Sequence, residues 1–390
     1  MSYQTQSHNS VPTETPSRQL SLHANHFNDK ILEQLNMNQH ISSPLSLYAL
    51  MLLVTLGSVD KTFIEMFNLL TKGTKDLRLI ASLSEDIKTQ MIHFDRSNSM
   101  TTNIKMVNNF YLSNTLISLI NTKYTDLISN FGNVDLVNFN NLTSVANTVN
   151  SFVNKETNGL IQEIITTDDM TPETLLMLVN VIYFKSSWVN SFNKNHTDDN
   201  ISFTSLNGNS KVSMMYQKND FQYYGNDNYQ VLTMPYRDGL FVMDVVLPRQ
   251  STNNSLSDIT AEFTLDMIKH QRNTECDLHF PKFEQRTRLN DLVDTLKTMG
   301  VTRIFDFYTS QLDNITELPL IVDQIIHEAV IIVDEEGTEA AAVTITLMRN
   351  SCVSINQVEP VVFRADHTFR YFIRYVPNDL ILFSGQYDGQ

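Results

Sequence analysis

The chain has 390 residues, 42% hydrophobic and 18% charged, which is enough for one large core or two modest domains. A formal net charge of -15, with no run of basic residues, argues against nucleic acid or an anionic membrane as a partner. Two cysteines, Cys276 and Cys352, cannot form a disulfide framework in a chain of this length.

The N-terminus and the apolar runs bear on where the protein works. The first 20 residues are polar and lack the apolar core of a signal peptide. The densest apolar run, residues 45–56, is shorter than the about 20 residues that a membrane helix needs. We expect a soluble protein that is cytoplasmic or released by a non-classical route, and an extracellular location stays open.

The first half of the chain has helical patterns. Residues 1–20 are predicted to be a flexible polar extension, and residues 21–390 a single domain, because no linker divides them. Apolar residues at helical spacing, Ser and Pro before a run, and Gly after it mark the helices. The predicted helices are 22–36, 43–58, Lys61–Leu70, Leu77–Ile92 and Leu142–Asn158.

The second half reads as strands separated by turn residues. The segments "ETLLMLVNVIYFKSSW", "FQYYGNDNYQVLTMPY", "LFVMDVVLP" and "CDLHFPKFE" alternate or run as strands. One helix interrupts them, at "RLNDLVDTLKTMGV", and stops at Gly300. Helices first and strands later, without a repeated strand–helix–strand order, predict an α+β fold built on antiparallel sheets.

No motif in the sequence points to an enzyme. Phosphate-binding glycine loops, H-E-x-x-H, C-x-x-C and G-x-S-x-G are all missing from the sequence. His23 and His26 have a spacing that could contact a metal, but no third ligand is suggested, so we interpret them as a solvent-facing pair. We expect no catalytic residues, no metal and no cofactor.

The stretch "VIIVDEEGTEAAAVTITLMRNSCVSINQ", residues 330–357, begins as a buried strand and then changes character. From Thr338 onward one alternate set is small and mostly uncharged, and the other set carries Val343, Ile345 and Leu347. In a strand these sets face opposite sides. The segment could therefore enter an existing sheet as an additional strand, or it could be a disordered linker between two strands.

This stretch resembles the proximal hinge of an inhibitory serpin's reactive-centre loop. Other segments resemble further serpin landmarks in the right order, and the resemblance covers residues 23–390. These landmarks are "SSPLSLYALMLLVTLGS", "NSFVNKETNGLIQEII", "LVNVIYFKSSWVNSFNKNHT", "VSMM", "MPYRDGLFVMDVVLP", "LHFPKFE", "FRADHTFRYFIRY" and "LILFSGQ".

The resemblance implies a serpin fold, with helices packed on antiparallel sheets and an exposed reactive-centre loop at about residues 335–362. It implies a suicide-substrate inhibitor, monomeric, whose partner is a target protease held in a covalent complex after loop cleavage and insertion. The hinge would be Glu335, Glu336, Gly337, Thr338, Glu339, Ala340, Ala341 and Ala342. The polar shutter beneath the sheet would be Ser43, Ser46, Asn180 and His327, and Trp188 would plug the breach.

The bond that the target cuts has several candidates. The family's usual spacing from Glu335 reaches Ser351 and places the bond at Ser351–Cys352, but a count back from "FRADHTF" ends near Gln357. The two counts differ by about six residues, and the proximal count is preferred because the inserted length must match the sheet. Arg349 would suit a trypsin-like protease, and Leu347 or Met348 a chymotrypsin-like one. The reactive-bond candidates are Met348, Arg349, Asn350, Ser351 and Cys352.

Two other functions stay open. A non-inhibitory serpin, a carrier or a chaperone, would use the same fold. Such members usually have a charged, bulky or proline residue in the hinge, whereas residues 338–344 include one charged residue, Glu339, on the alternate face, and are otherwise small or β-branched. A second possibility keeps inhibition but directs it at a cysteine protease. The lead hypothesis is inhibition of a serine protease.

Overall fold

A computed structural model describes residues 17–34, 41–129, 131–206, 208–249, 256–289, 292–338 and 359–389. The first helix begins at Arg18, so the last residues of the predicted N-terminal extension are helical. The division of the chain into an extension and a single domain from residue 21 stays a prediction.

Six of the eight α-helices in the described residues lie in the first half of the chain. Residues 44–57, for example, are capped by Ser43, whose side chain accepts a hydrogen bond from the Ser46 amide, and this helix is apolar on all sides and therefore buried. The helices are α1 (Arg18–Gln34), α2 (Pro44–Gly57), α3 (Asp60–Leu70), α4 (Leu79–Ser97), α5 (Thr122–Ile128), α6 (Leu142–Glu156), α7 (Ala261–Ile268) and α8 (Leu292–Thr298).

The strands lie mostly in the second half, as the sequence predicts, although three precede α6. They are β1 (Ile41–Ser42), β2 (Thr102–Ser113), β3 (Asn133–Val137), β4 (Leu176–Ser187), β5 (Asp198–Ser205), β6 (Gly208–Gly225), β7 (Tyr229–Pro235), β8 (Phe241–Pro248), β9 (Arg272–Pro281), β10 (Phe283–Leu289), β11 (Gln324–Val333), β12 (Gly337–Thr338), β13 (Val361–Arg364), β14 (Phe369–Tyr375) and β15 (Leu380–Tyr387).

The strands form two sheets. The main sheet has the order β10-β11-β12-β4-β2-β3, and the second sheet has the order β1-β15-β14-β8-β7-β6-β9-β13, with β5 added beside β6. The α+β fold of helices on sheets is confirmed. The sheets are mixed rather than purely antiparallel, because β11 pairs with β4, β2 with β3, and β13 with β9 in parallel.

The main sheet is covered on both faces. Alternate residues of β4 and β11 point to opposite sides, so Leu178 and Ile325 join the large core around α2. Val179 and Ile326 join a second core, which α6 and the segment after it cover. The middle strands of this sheet are therefore buried on both faces, and anything that separates β4 from β11 disturbs both cores.

Candidate functional site

The contact between β4 and β11, which we call the seam, is closed at one end and split at the other. Six residue pairs close it, from Gln324 opposite Met177 to Ala329 opposite Ile182. Beyond them the strands part, and β12 lies between them. Thr338 pairs with Val333 of β11 and with Ser186 of β4. The seam thus already holds the start of an additional antiparallel strand.

A tight turn leads the chain from β11 into the seam. The Asp334 carboxylate accepts hydrogen bonds from the Glu336 amide (2.8 Å) and the Gly337 amide (3.1 Å). The Asp334 amide donates to the Gly337 carbonyl. This turn reverses the chain at the residues that the sequence predicts as the hinge, so Gly337 and Thr338 run antiparallel to both neighbouring strands.

Close approach to β4 explains the glycine in this turn. A Cβ atom at Gly337 would lie 2.2 Å from the Ser186 carbonyl oxygen, so a side chain at this position would collide with the β4 backbone. The structure does not place Gly337 among the residues with positive φ. In this conformation the glycine therefore leaves space for the β4 backbone rather than supplying an unusual dihedral angle.

Thr338 is fully buried at the split end of the seam. Its hydroxyl is 2.7 Å from the hydroxyl of Tyr236, and the two share a hydrogen bond. Burial raises the pKa of Tyr236 far above its usual value, so the phenol is neutral. A small hydroxyl side chain fits here, and a charged or long side chain would lose this bond and its water shell.

Trp188 packs directly on the predicted hinge residues. Its indole N–H donates to the Asp334 carbonyl (3.0 Å), and its backbone amide donates to the Glu336 carbonyl (2.9 Å). The indole ring stacks on Tyr236 with 4.5 Å between centroids. Trp188 therefore lies at the split end of the seam, and its role in plugging the breach stays a prediction.

The two glutamates of the predicted hinge, Glu335 and Glu336, are ion-paired. Glu335 is 4% exposed and accepts hydrogen bonds from Lys282 (3.0 Å) and from the Thr197 hydroxyl (2.9 Å). Burial alone would raise the pKa of Glu335, but hydrogen bonds from its own backbone, Lys282 and Thr197 lower it below the usual value. Glu336 pairs with Lys194 at 2.7 Å. Both carboxylates hold the turn against the body of the protein.

The four predicted shutter residues meet in one buried network at the closed part of the seam. Asn180 of β4 donates to the Ser46 hydroxyl (2.6 Å) on α2, and its carbonyl oxygen is 2.5 Å from Nδ1 of His327 on β11. Ser43 donates its amide proton to Nε2 of His327 and its hydroxyl proton to the Leu382 carbonyl. Asn180 and His327 face each other in the register of the seam, so their hydrogen bond crosses it.

The network fixes the protonation of His327. Because Nε2 accepts from the Ser43 amide, the proton lies on Nδ1 and is donated to Asn180. Burial lowers the pKa of His327 to about 3. The imidazole is therefore neutral at physiological pH, and its protonation would replace an acceptor with a second donor facing a backbone amide.

The structure adds site residues that the sequence analysis missed. Asn108 of β2 accepts a hydrogen bond from Asn180 (2.6 Å) and extends the shutter network. Tyr236 and Lys282 bind hinge residues from distant parts of the chain. A polar Asn inside the buried strand "TNIKMVNNFYLS" was a detectable signal for the first of these. Nothing local marked the other two.

Several residues singled out from the sequence are not among the contacts of this site. His23 is buried rather than solvent-facing, because its Nδ1 accepts a hydrogen bond from the Lys72 amide (3.0 Å) on the inner side of α1. Two further groups of predicted residues lie outside the described residues. They are the hinge residues Glu339, Ala340, Ala341 and Ala342 and the reactive-bond candidates Met348, Arg349, Asn350, Ser351 and Cys352.

No helix in the described ranges combines the length and apolar character needed to cross a membrane.

The fold and the site define a class of protein: an α+β domain whose main sheet has a seam that holds the start of a further strand. The family model for serpin (serine protease inhibitor) matches residues 22–388. The chain belongs to the serpin family, and its fold is the serpin fold.

Relatives and a solved structure agree with this assignment. An uncharacterized serpin-like protein of Acanthamoeba polyphaga mimivirus is 32% identical over 94% of this chain and 88% of its own length. The leukocyte elastase inhibitor of Xenopus laevis is 27% identical over 95% of this chain and 99% of its own. The structure of human thyroxine-binding globulin with thyroxine matches with a TM-score of 0.83 at 22% identity, over 97% of this chain and all of that one.

Proposed function

We propose that the protein inhibits a serine protease as a suicide substrate. The observation that carries this proposal is the position of Gly337 and Thr338 at the split end of the seam, where both residues pair with β4 and Thr338 also pairs with β11. Each further residue that followed them into the seam would gain backbone hydrogen bonds on two sides. The leukocyte elastase inhibitor of Xenopus laevis, a relative over nearly the whole chain, supports inhibition as the activity.

The proposed reaction begins with attack by the protease serine on the loop. Its oxygen forms an ester with the carbonyl carbon of the residue before the cut, and the new amino terminus leaves with the C-terminal piece. The loop then enters the seam behind Thr338 and carries the esterified protease with it. The ester persists because the moved protease can no longer position water for hydrolysis.

The residue before the cut sets the target class. The cut is expected within 348–352, and a cut after Arg349 favours a trypsin-like protease because the arginine charge fits an acidic specificity pocket. Met348 favours a chymotrypsin-like one. Ser351 matches the proximal count from the hinge.

The test mixes the purified protein at near-equimolar ratio with trypsin-like, chymotrypsin-like and cysteine proteases. We expect a complex with at least one serine protease that survives denaturing electrophoresis. The mass of the released C-terminal peptide would identify the bond within 348–352. A cysteine-protease complex alone would replace the target class and keep the mechanism.

Two variants at one position provide the control. Thr338→Arg places a long charged side chain where a buried hydroxyl meets Tyr236, so the loop should be cut without trapping. Thr338→Ser keeps the hydroxyl and should keep the complex. Cleavage of the unmodified protein by every protease, without a complex and without a rise in the melting temperature of the product, would refute the proposal.

A further inference from the structure

Residues 157–175, the connecting segment, join α6 to β4 and lie over the seam on the α6 face of the main sheet. Ile161, Ile164 and Ile165 of this segment belong to the same buried cluster as Val179 of β4 and Ile326 of β11. The segment thus covers both strands that must part if the sheet is to take in another strand.

One side of the connecting segment is fixed to α6 and β2. Asn150 of α6 accepts hydrogen bonds from the amides of Ile164 (2.9 Å) and Ile165 (3.1 Å) and donates to the Ile165 carbonyl (2.8 Å). The end of α6 is ion-paired with β2 through Glu156 and Lys105 at 3.4 Å. These contacts lie on the β4 side of the seam.

The other side of the segment is fixed to β10, which pairs with β11 along its whole length. Arg288 of β10 forms an ion pair with Asp169. Arg286 of β10 donates to the Glu163 carbonyl (3.1 Å) and pairs with the buried Glu328 of β11. The Asp169 carboxylate is itself held, because its second oxygen accepts from the Thr166 amide (2.7 Å).

We propose that the Asp169–Arg288 ion pair, supported by the Arg286–Glu163 hydrogen bond, links the connecting segment to β10 across the α6 face of the seam. This bridge resists the separation of β4 from β11. A strand inserted between β4 and β11 would move the β10–β11 pair away from β4 by about 4.8 Å. An ion pair at contact distance cannot span that shift while the segment stays on α6. Opening therefore requires the bridge to break or α6 to move with β10.

This inference rests on the proposed function, since the bridge matters only if the seam opens. It adds a specific barrier that controls how fast the loop enters. The barrier is distinct from the shutter, because the bridge lies on the α6 face and the shutter on the α2 face of the same two strands.

The test measures entry of a strand without a protease. A fluorescent synthetic peptide with the sequence of residues 338–350 is incubated with the intact protein, and its uptake is followed by anisotropy and native electrophoresis. Asp169→Asn keeps an oxygen for the Thr166 amide and removes the charge from the bridge. We expect uptake to be about tenfold faster, the effect of lowering a barrier by one charge-assisted contact.

The chain offers a matched control. Glu65 and Arg303 form an ion pair at 3.3 Å, with side-chain exposures of 24% and 26%, against 17% and 27% for Asp169 and Arg288. One Glu65 oxygen also accepts hydrogen bonds from two backbone amides, and one Asp169 oxygen accepts a hydrogen bond from the Thr166 amide. This pair lies away from the seam, so Glu65→Gln should leave the uptake rate unchanged even if it lowers the melting temperature equally.

A second comparison distinguishes loss of this ion pair from a general loss of stability of the fold. Arg288→Gln should accelerate uptake as Asp169→Asn does, and the double variant should be no faster than either, because the same contact is removed only once. Equal uptake rates for the unmodified protein and both single variants would refute the bridge and leave the proposed function standing. Additive acceleration in the double variant would do the same. No uptake by any variant would count against both the bridge and the proposed function.

Discussion

Protonation of His327 should weaken the fold as the pH falls, and the size of the effect follows from its burial. The pKa of His327 is about 3 in the folded protein and 6.5 when the ring is free. As the pH falls, the unfolded chain binds the proton before the folded protein does. The contribution of the neutral imidazole to the free energy of unfolding is therefore complete above pH 6.5 and is lost as the pH falls from 6.5 toward 3. Between pH 8 and pH 5 the loss is about 2 kcal/mol.

The assay compares the unmodified protein with His327→Gln in urea at pH 8 and pH 5. Trp188 is the chain's one tryptophan and reports on the first cooperative transition by fluorescence. A direct pH series is insufficient, because burial raises the pKa of Asp29 to about 6, which stabilises the fold over part of the same range. The difference between the two proteins removes that contribution. An equal loss of unfolding free energy between pH 8 and pH 5 in both proteins would refute the conclusion that His327 is buried in its neutral form.

The hinge gives two further predictions. Gly337→Ala brings a Cβ atom to 2.2 Å from the Ser186 carbonyl oxygen, so the hinge should leave the seam, and limited proteolysis should then cut the chain faster after β11. Trp188→Phe keeps a ring that can stack on Tyr236 but loses the indole bond to the Asp334 carbonyl. It should lower the unfolding free energy by about 1 kcal/mol, measured by circular dichroism; no change would indicate that water replaces the indole.

The parts of the site that the sequence reveals are those encoded locally. Alternation of small residues after the hinge and the acidic turn before it can be read within one stretch, and so can the apolar helix capped by Ser43. The partners of those residues come from other strands. Tyr236 is 102 positions from Thr338, and Lys282 is 53 from Glu335, so neither contact has a local signal.

Gly337 illustrates a different limit. Sequence reasoning expects glycine where the backbone needs unusual dihedral angles, and that is its commonest use. Here the reason is a neighbouring strand, which becomes visible only when the register between β12 and β4 is known. The prediction that His23 faces solvent is wrong for a similar reason, because its burial depends on a contact with the Lys72 backbone, which lies just after α3.

The seam also has a direction, which gives the proposed insertion an order of events. Thr338 lies at the split end, and Ala329 opposite Ile182 is the nearest closed pair. A strand entering behind Thr338 would part that pair first and reach His327 opposite Asn180 two pairs later. Backbone hydrogen bonds lost between β4 and β11 are replaced by bonds to the new strand, whereas the His327–Asn180 bond has no replacement. On the proposed mechanism, the shutter bond is therefore the step that the entering backbone cannot compensate.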